Sequence, residues 1–264
     1  VNRIVTLITD FGWDDAYAGA VKGAILTVNP DVTIVDITHG IPPHSILDAA
    51  LCLRAAYAHF PPRTVHVVVV DPGVGGSRRG LLVTSEHHLF VGPDNGIFTF
   101  VREDMDASGC FELTASHYFN REISPTFHAR DIFGPVAGWL TRGIAPENFG
   151  EPVNDPVRLR LPQPVLGQGR IDGHILRIDR FGNLITSIRE AQVQQVFAGT
   201  GVRCLVGEET VPVPMGRYYA EVNKGEACAL IGSGGLVEVA VNQGRAQAKY
   251  SARVGMRVAL IAAG

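Results

Sequence analysis

Three β-branched runs, each breaking off at or beside an ionisable residue, constrain the first part of this chain more than any other feature. Residues 3–9 form a β-branched run that ends abruptly at Asp10-Phe11-Gly12. Residues 32–37 end near Asp36, Thr38 and His39, and residues 65–70 end at Asp71. The continuous apolar run at 65–70 suits a strand buried on both faces, as the strands of parallel sheets are. Between them lie two segments of helical character. Residues 15–28 are rich in Ala and other small residues, and Ile46, Ala49, Leu53 and Ala56 recur at helical spacing within residues 44–59. Strand–helix–strand–helix–strand is the pattern of an α/β layer on a parallel sheet.

After Asp71 the pattern changes. Residues 80–85 and 88–91 read as adjacent strands, and residues 131–142 as a further helix. The stretch 146–164 carries prolines at 146, 152, 156, 162 and 164. Proline at that density resists both helix and central strand, so a linker is expected there. Beyond it come short strand signals at 174–179, 184–188, 202–206, 227–231, 236–241 and 256–261, with one short helix at 191–197. Short strands with Gly-rich turns suggest a small β-barrel or sandwich. The expected architecture is an α/β protein. An N-terminal α/β domain with a mostly parallel sheet spans 1–160, and a smaller C-terminal all-β, barrel-like domain spans 161–264.

Composition narrows the functional classes. Of 264 residues 46% are hydrophobic and 19% charged, which excludes a disordered chain. The formal net charge is −3, and no dense Lys/Arg run offers an electrostatic footprint for nucleic acid. Cys52, Cys110, Cys204 and Cys228 are widely separated and form no Cys-x-x-Cys pair. They are read as buried or idle thiols, without metal, redox or disulfide roles. The apolar stretch at residues 1–10 is too short for a signal peptide and lacks a small-residue cleavage site. No apolar run approaches the ~20 residues that span a bilayer. A cytoplasmic protein is expected.

The chemistry-bearing residues follow from this frame. Ligands of a parallel sheet bind beyond the carboxyl ends of its strands. Asp10 and Asp71 stand at two such ends, with His39 close to a third, and should converge on one crevice. The plainer alternative is that each Asp caps a following helix or turn. In Asp71-Pro72-Gly73-Val74-Gly75-Gly76-Ser77-Arg78-Arg79, the glycines permit backbone conformations closed to other residues. The loop leads into a strand, so it lacks the helix N-terminus that would hold a dinucleotide pyrophosphate. It can instead fold Arg78 back toward Asp71. His128 precedes a helix, and Tyr118, Phe119 and Phe127 nearby favour partial burial and a neutral ring. Asp179-Arg180-Phe181-Gly182-Asn183 reads either as a plain hairpin turn or as a base-recognition loop with Phe181 packing and Asn183 hydrogen-bonding. Ser233-Gly234-Gly235, before Leu236-Val237-Glu238, is equally ambiguous.

Six segments in order carry a resemblance across nearly the whole chain. They are Thr9-Asp10-Phe11-Gly12, Asp36-Ile37-Thr38-His39, Val70-Asp71-Pro72-Gly73-Val74-Gly75, Gly92-Pro93-Asp94-Asn95-Gly96, Thr126-Phe127-His128-Ala129-Arg130-Asp131 and Phe181-Gly182-Asn183. Together they resemble the S-adenosylmethionine hydroxide adenosyltransferase family, adenosine-forming hydrolases related to the fluorinases and chlorinases. The resemblance implies an N-terminal α/β domain, a C-terminal β-barrel and a homotrimer holding substrate at subunit interfaces. It implies a water-handling set that falls here on Asp71, Arg78 and His128. By the same resemblance, Asp10 holds the ribose hydroxyls, and Asp15 and Asp179 lie near the methionine amino group. Asn183 and the segment from Ser233 through Glu238 to Val241 surround the nucleoside and the methionine end. No metal or separate cofactor is implied, S-adenosylmethionine being the substrate.

Two features set the chain apart from the halogenating relatives. They lack the Asp-Arg-His set, and they carry an inserted N-terminal loop for which this chain has no excess length. One departure touches the site: where they place an Arg after the Ser that meets the methionine carboxylate, this chain has Gly234. The expected reaction is attack of water or hydroxide at the ribose 5′ carbon, releasing adenosine and methionine. The competing readings are a halide-dependent 5′-halogenase and a non-catalytic binder of S-adenosylmethionine or adenosine. A nicotinamide-dependent oxidoreductase is disfavoured by the loop context.

Overall fold

The computed structural model describes residues 3–105, 107–208 and 211–263, leaving out the first two residues of the apolar N-terminal stretch. Contacts divide the chain into two units, Val1–Leu159 and Arg160–Gly264. The first comprises β1 (Ile4–Thr9), α1 (Tyr17–Val28), β2 (Thr33–Thr38), α2 (Ile46–Ala56), β3 (Thr64–Val69), β4 (Gly80–Ser85), β5 (His88–Pro93), α3 (Thr99–Asp104), β6 (Ala107–Glu112) and α4 (Gly134–Thr141). Its six-stranded sheet has the order β2-β1-β3-β5-β4-β6. β1 pairs in parallel with β2 and β3, and β3 with β5, while β4 runs antiparallel to β5 and β6.

The two-residue period of a strand sends alternate side chains to opposite faces, and here both faces are covered. Val5, Leu7, Val65, Val67 and Val69 pack with Val21 and Ile25 of α1 and Val136, Ala137 and Leu140 of α4. On the other face Ile8, Val68 and Val70 pack with Ala49 and Leu53 of α2 and Val101 of α3. Double-sided burial is the reason β1 and β3 are largely apolar, whereas β2, at the sheet edge, is only partly buried. In the β1–β3 ladder Thr9 lies opposite Val69, so Asp10 and Asp71 emerge past the same sheet edge.

The helix expected at 131–142 begins differently. Ala129–Phe133 forms a π-type turn, and α4 follows from Gly134. Pro135 has no N–H to bond the Asp131 carbonyl, which accepts from the Asn120 N–H at 2.9 Å instead. The ladder widens around the released carbonyl, and Gly134 N–H reaches back to Ala129.

The proline-rich stretch is not a free linker along its whole length. Phe149 is fully buried in the core. Glu112 N–H bonds the Glu151 carbonyl and Val153 N–H bonds the Cys110 carbonyl, along the edge of β6. Further on, Val157 N–H reaches Asp94 and Leu159 N–H reaches Thr99. Non-proline residues between the prolines thus supply the donors. Arg79 clamps Asp94 and Asp155 from the other side, which accounts for Asp94 in the Gly92–Gly96 segment as a structural residue.

The second unit comprises β7 (Val165–Gly167), β8 (Arg170–Ile178), β9 (Leu184–Arg189), α5 (Glu190–Phe197), β10 (Val202–Val206), β11 (Val213–Pro214), β12 (Ala227–Ile231), β13 (Leu236–Val241), α6 (Ala246–Lys249) and β14 (Arg257–Ala262). Its antiparallel sheet runs β11-β10-β14-β8-β9-β13-β12, with β7 on β8. The end strands β11 and β12 approach through a Met215–Ala229 bridge, and Gly216 N–H bonds the Ala229 carbonyl at 2.8 Å. Of the two all-β forms the sequence allowed, the sheet takes the nearly closed, barrel-like one. Ile171, Ile175, Leu184, Ile188, Val237, Val239 and Leu260 fill its interior.

Candidate active site

At the carboxyl edge of the first unit's sheet, Asp10, Phe11, His44, Val69, Asp71, Val74, Thr126, Phe127, His128 and Ala129 line a cavity of about 140 Å³. Two overlapping turns, Val74 N–H to the Asp71 carbonyl and Gly76 N–H to the Gly73 carbonyl, reverse the chain after β3. Gly75 holds φ at +75°, a conformation costly for a side chain with a β-carbon. The reversal lays Arg78 on Asp71. Arg78 Nε donates to Oδ1 and Oδ2, both at 3.0 Å, and Nη2 donates to Oδ2 at 2.5 Å. Both side chains are largely buried, at 12% and 6% exposure, and the guanidinium carbon lies 5.4 Å from the Phe133 ring centre.

The same Arg78 Nη2 also donates to His128 Nδ1 at 2.8 Å. Burial and, next, the positive charge of Arg78 push the His128 imidazole below its ordinary pKa, against the opposing charges of Asp71 and Asp131. The segment presenting His128 is braced from beneath by buried Asp131. Its oxygens accept from Arg130, Asn120 Nδ2 and the Ser124 N–H. Burial alone would raise this carboxyl, but these hydrogen bonds outweigh it and hold it below the usual range.

Asp10 uses Oδ2 to accept the His44 N–H at 2.9 Å. His39 is fully buried behind it, between Thr9 Oγ1 at 2.7 Å and Asp36 Oδ1 at 3.1 Å. Lys22 completes that chain by donating to Asp36 at 2.6 Å. Burial would raise the Asp36 carboxyl, but the Lys22 and His39 hydrogen bonds lower it overall. His39 therefore supports the loop that carries Asp10. Asp15 is exposed between β1 and α1 and is not among the residues lining this cavity.

The second unit carries a larger cavity of about 680 Å³, lined by Asp179, Phe181, Asn183, Tyr219, Ser233, Glu238, Val241, Asn242, Gln243, Gly244 and Arg245. The β8–β9 connection is the hairpin turn of the first reading, and three of its residues also line this cavity. It is a tight turn, with Gly182 at φ +84° and the Asp179 N–H on the Asn183 carbonyl at 3.0 Å. Asn183 also donates its backbone N–H to Asp179 Oδ1 at 2.8 Å and its amide to Oδ2 at 2.9 Å. Phe181 stands 73% exposed at the cavity. Burial, then the charge of Asp179, raises the Glu238 carboxyl, while a Tyr219 hydrogen bond opposes the shift.

The sequence matches the SAM hydroxide adenosyltransferase N-terminal domain over residues 5–150 and the corresponding C-terminal domain over residues 173–259. The chain belongs to the SAM hydroxide adenosyltransferase family. A Thermus thermophilus relative named (R)-S-adenosyl-L-methionine hydrolase is 36% identical, covering 98% of this chain and 100% of its own. A fluorinase from Actinoplanes is more distant, at 26% identity over 97% of each chain. The crystal structure of an uncharacterized conserved protein from Thermotoga maritima superposes with a TM-score of 0.91 at 33% identity, covering 98% of this chain and 99% of that one.

Within this SAM hydroxide adenosyltransferase fold, Asp10, Asp71 and His128 line one cavity, with Arg78 bonded to the latter two, and Asp179, Phe181, Asn183, Ser233, Glu238 and Val241 line the other. Tyr219 and Arg245 also line the second cavity, and neither stands out in the sequence. Arg245 sits directly after Asn242-Gln243-Gly244, a turn signal following β13, and that position was the available clue. Tyr219 lies in a short 3-10 turn with no distinguishing sequence signal.

Proposed function

We propose that this chain hydrolyses S-adenosylmethionine at the ribose 5′ carbon, giving adenosine and methionine. The observation that carries the reading is the unbroken contact chain Asp71–Arg78–His128 at a cavity shared with Asp10. The hydrolase name of the Thermus relative supports it.

The substrate is a sulfonium cation. When its bond to C5′ breaks, methionine leaves as a neutral thioether, so no general acid is required. The difficulty is the nucleophile, since bulk hydroxide is scarce at neutral pH. Arg78 cannot act as a base, but its charge favours an anionic oxygen beside it. Asp71 holds the guanidinium, and His128 completes the hydrogen-bonding set. Displacement requires the oxygen opposite sulfur, and positioning of this kind supplies much of the rate. Asp10 suits the ribose diol, since one carboxylate accepts from two hydroxyls.

The larger cavity suits the rest of the substrate. Its lining includes two acids, Asp179 and Glu238, and one cation, Arg245. S-adenosylmethionine brings an ammonium, a sulfonium and one carboxylate, the matching set of charges. On this reading Arg245 takes the carboxylate role left open by Gly234, beside Ser233. Phe181 packs on the nucleoside, Asn183 hydrogen-bonds it, and Val241 contributes apolar surface. Asp15 and Asp179 belong to the ammonium end.

The family resemblance supports a homotrimer with substrate held at subunit interfaces, and no separate cofactor or metal. Among the described residues no helix is long and apolar enough to cross a membrane, and a cytoplasmic location is part of the reading. Incubating the protein with S-adenosylmethionine, with and without chloride or fluoride, tests it by mass analysis. Adenosine and methionine are expected in every case. A 5′-halo-adenosine, or binding without turnover, would overturn it.

A further inference from the structure

The contact between Arg78 and His128 fixes the proton on the imidazole as well as its position. A guanidinium has five N–H donors, no acceptor, and stays protonated in proteins. His128 Nδ1, 2.8 Å from Arg78 Nη2, is therefore the acceptor and carries no proton. A neutral ring with a bare Nδ1 has its proton on Nε2. Nε2 has no hydrogen-bond partner among the described residues and is not one of the buried, unpartnered atoms. The ring lines the cavity shared with Asp10 and Asp71.

Resting on the hydrolytic reading, we propose that His128 donates its Nε2–H to the attacking oxygen and does not receive that oxygen's proton, which passes to Asp71. The ring can take a proton only at Nδ1. Protonation there would set two N–H groups and two cations against each other across a 2.8 Å contact. Asp71 has the opposite character. A carboxylate offers about four lone-pair sites. Arg78 uses two on Oδ2 and one on Oδ1, so Oδ1 keeps one, and Asp71 lines the cavity.

The step balances without further reagents. A lone pair on the oxygen forms the O–C5′ bond. The C5′–S bond breaks, and its electron pair stays on sulfur as neutral methionine thioether. The proton lost by the oxygen moves to Asp71 Oδ1 and then to solvent. His128 begins and ends neutral, acting as an oriented donor throughout.

Nitrogen-15 spectra of the histidine rings, recorded on the full-length protein without substrate, test the tautomer. The His128 signal is assigned by its loss in His128→Gln. The expected result is a neutral ring with Nε2 protonated and Nδ1 bare at pH 7, persisting below the ordinary imidazole pKa. In Arg78→Met the ring should populate both tautomers and titrate at higher pH. A proton on Nδ1 of the unmodified protein at pH 7 would overturn the proposal. Turnover gives a second readout. Gln still donates an N–H but cannot take a proton, so His128→Gln should stay within about tenfold of the unmodified protein, while His128→Ala falls ~100-fold or more. Equal losses in the two variants would overturn the donor role. The tautomer is read without substrate. Its failure therefore leaves adenosine formation standing, and absence of adenosine leaves the tautomer standing.

Discussion

A β-carbon built on Gly75 would lie 2.1 Å from the carbonyl oxygen of Pro125. The loop that delivers Arg78 and the segment that delivers His128 thus meet backbone to backbone, and that contact sets the spacing of the two side chains. Gly75→Ala must push the segments apart and also carries the left-handed penalty of ~1–2 kcal/mol. Displacement of about 1 Å at a reacting centre costs on the order of 100-fold in rate. The expected outcome is a turnover loss of that order with substrate affinity changed only a few-fold, measured by steady-state kinetics beside calorimetry.

Asp71 and Arg78 are a largely buried pair, and removing one partner strands the other. Breaking such a pair costs ~3–5 kcal/mol, more than replacing both members together. Asp71→Asn and Arg78→Met should each lower stability by that order. The double variant should lose less than the sum of the two. Urea unfolding of the four proteins measures the difference, and turnover should be abolished in all three variants.

Asn183 ties the turn to Asp179 through two hydrogen bonds. Asn183→Ala leaves an Asp179 oxygen without its amide partner and removes the proposed nucleoside contact. Losing a buried hydrogen bond costs ~1–3 kcal/mol. KM should therefore rise by ~10-fold or more while kcat changes little. Steady-state kinetics and a Kd from calorimetry with methionine-free adenosine check the split.

Away from the site, His66 is fully buried between Thr6 Oγ1 and His88 Nδ1. Burial, then His88, lowers its pKa to about 3. A folded-state pKa below the unfolded value near 6.5 means that the neutral ring's contribution is fully present above about pH 6.5. It is lost as pH falls toward 3, at ~1.4 kcal/mol per pH unit. Unfolding free energies at pH 7 and pH 5 should differ by about 2 kcal/mol from this group. In His66→Gln that part of the acid slope should disappear.

Much of this arrangement was legible in the sequence, because local physics wrote it. Apolar runs such as 65–70 mark strands buried on both faces, and their ends place Asp10 and Asp71 on one edge. The glycines of the 73–76 loop announced a chain reversal able to return Arg78. What stayed hidden depends on distant partners. The π-type turn at Ala129–Phe133 exists because Pro135 frees a carbonyl that Asn120 then claims. The residues from Pro146 to Leu159 look like a linker because their donors pair with Cys110, Asp94 and Thr99, all far away in sequence. α3 and β6 lack clear periodicity and gain their definition from packing. Arg245 lines the cavity because α6 follows directly on the β13 turn, a placement set by packing.

In the proposed reaction water attacks carbon at the 5′ position. Turnover of S-adenosylmethionine in oxygen-18 water, followed by mass spectrometry of both products, tests this directly. One heavy oxygen is expected in the 5′ hydroxyl of adenosine and none in methionine. Unlabelled adenosine, or label appearing on the methionine side, would contradict it.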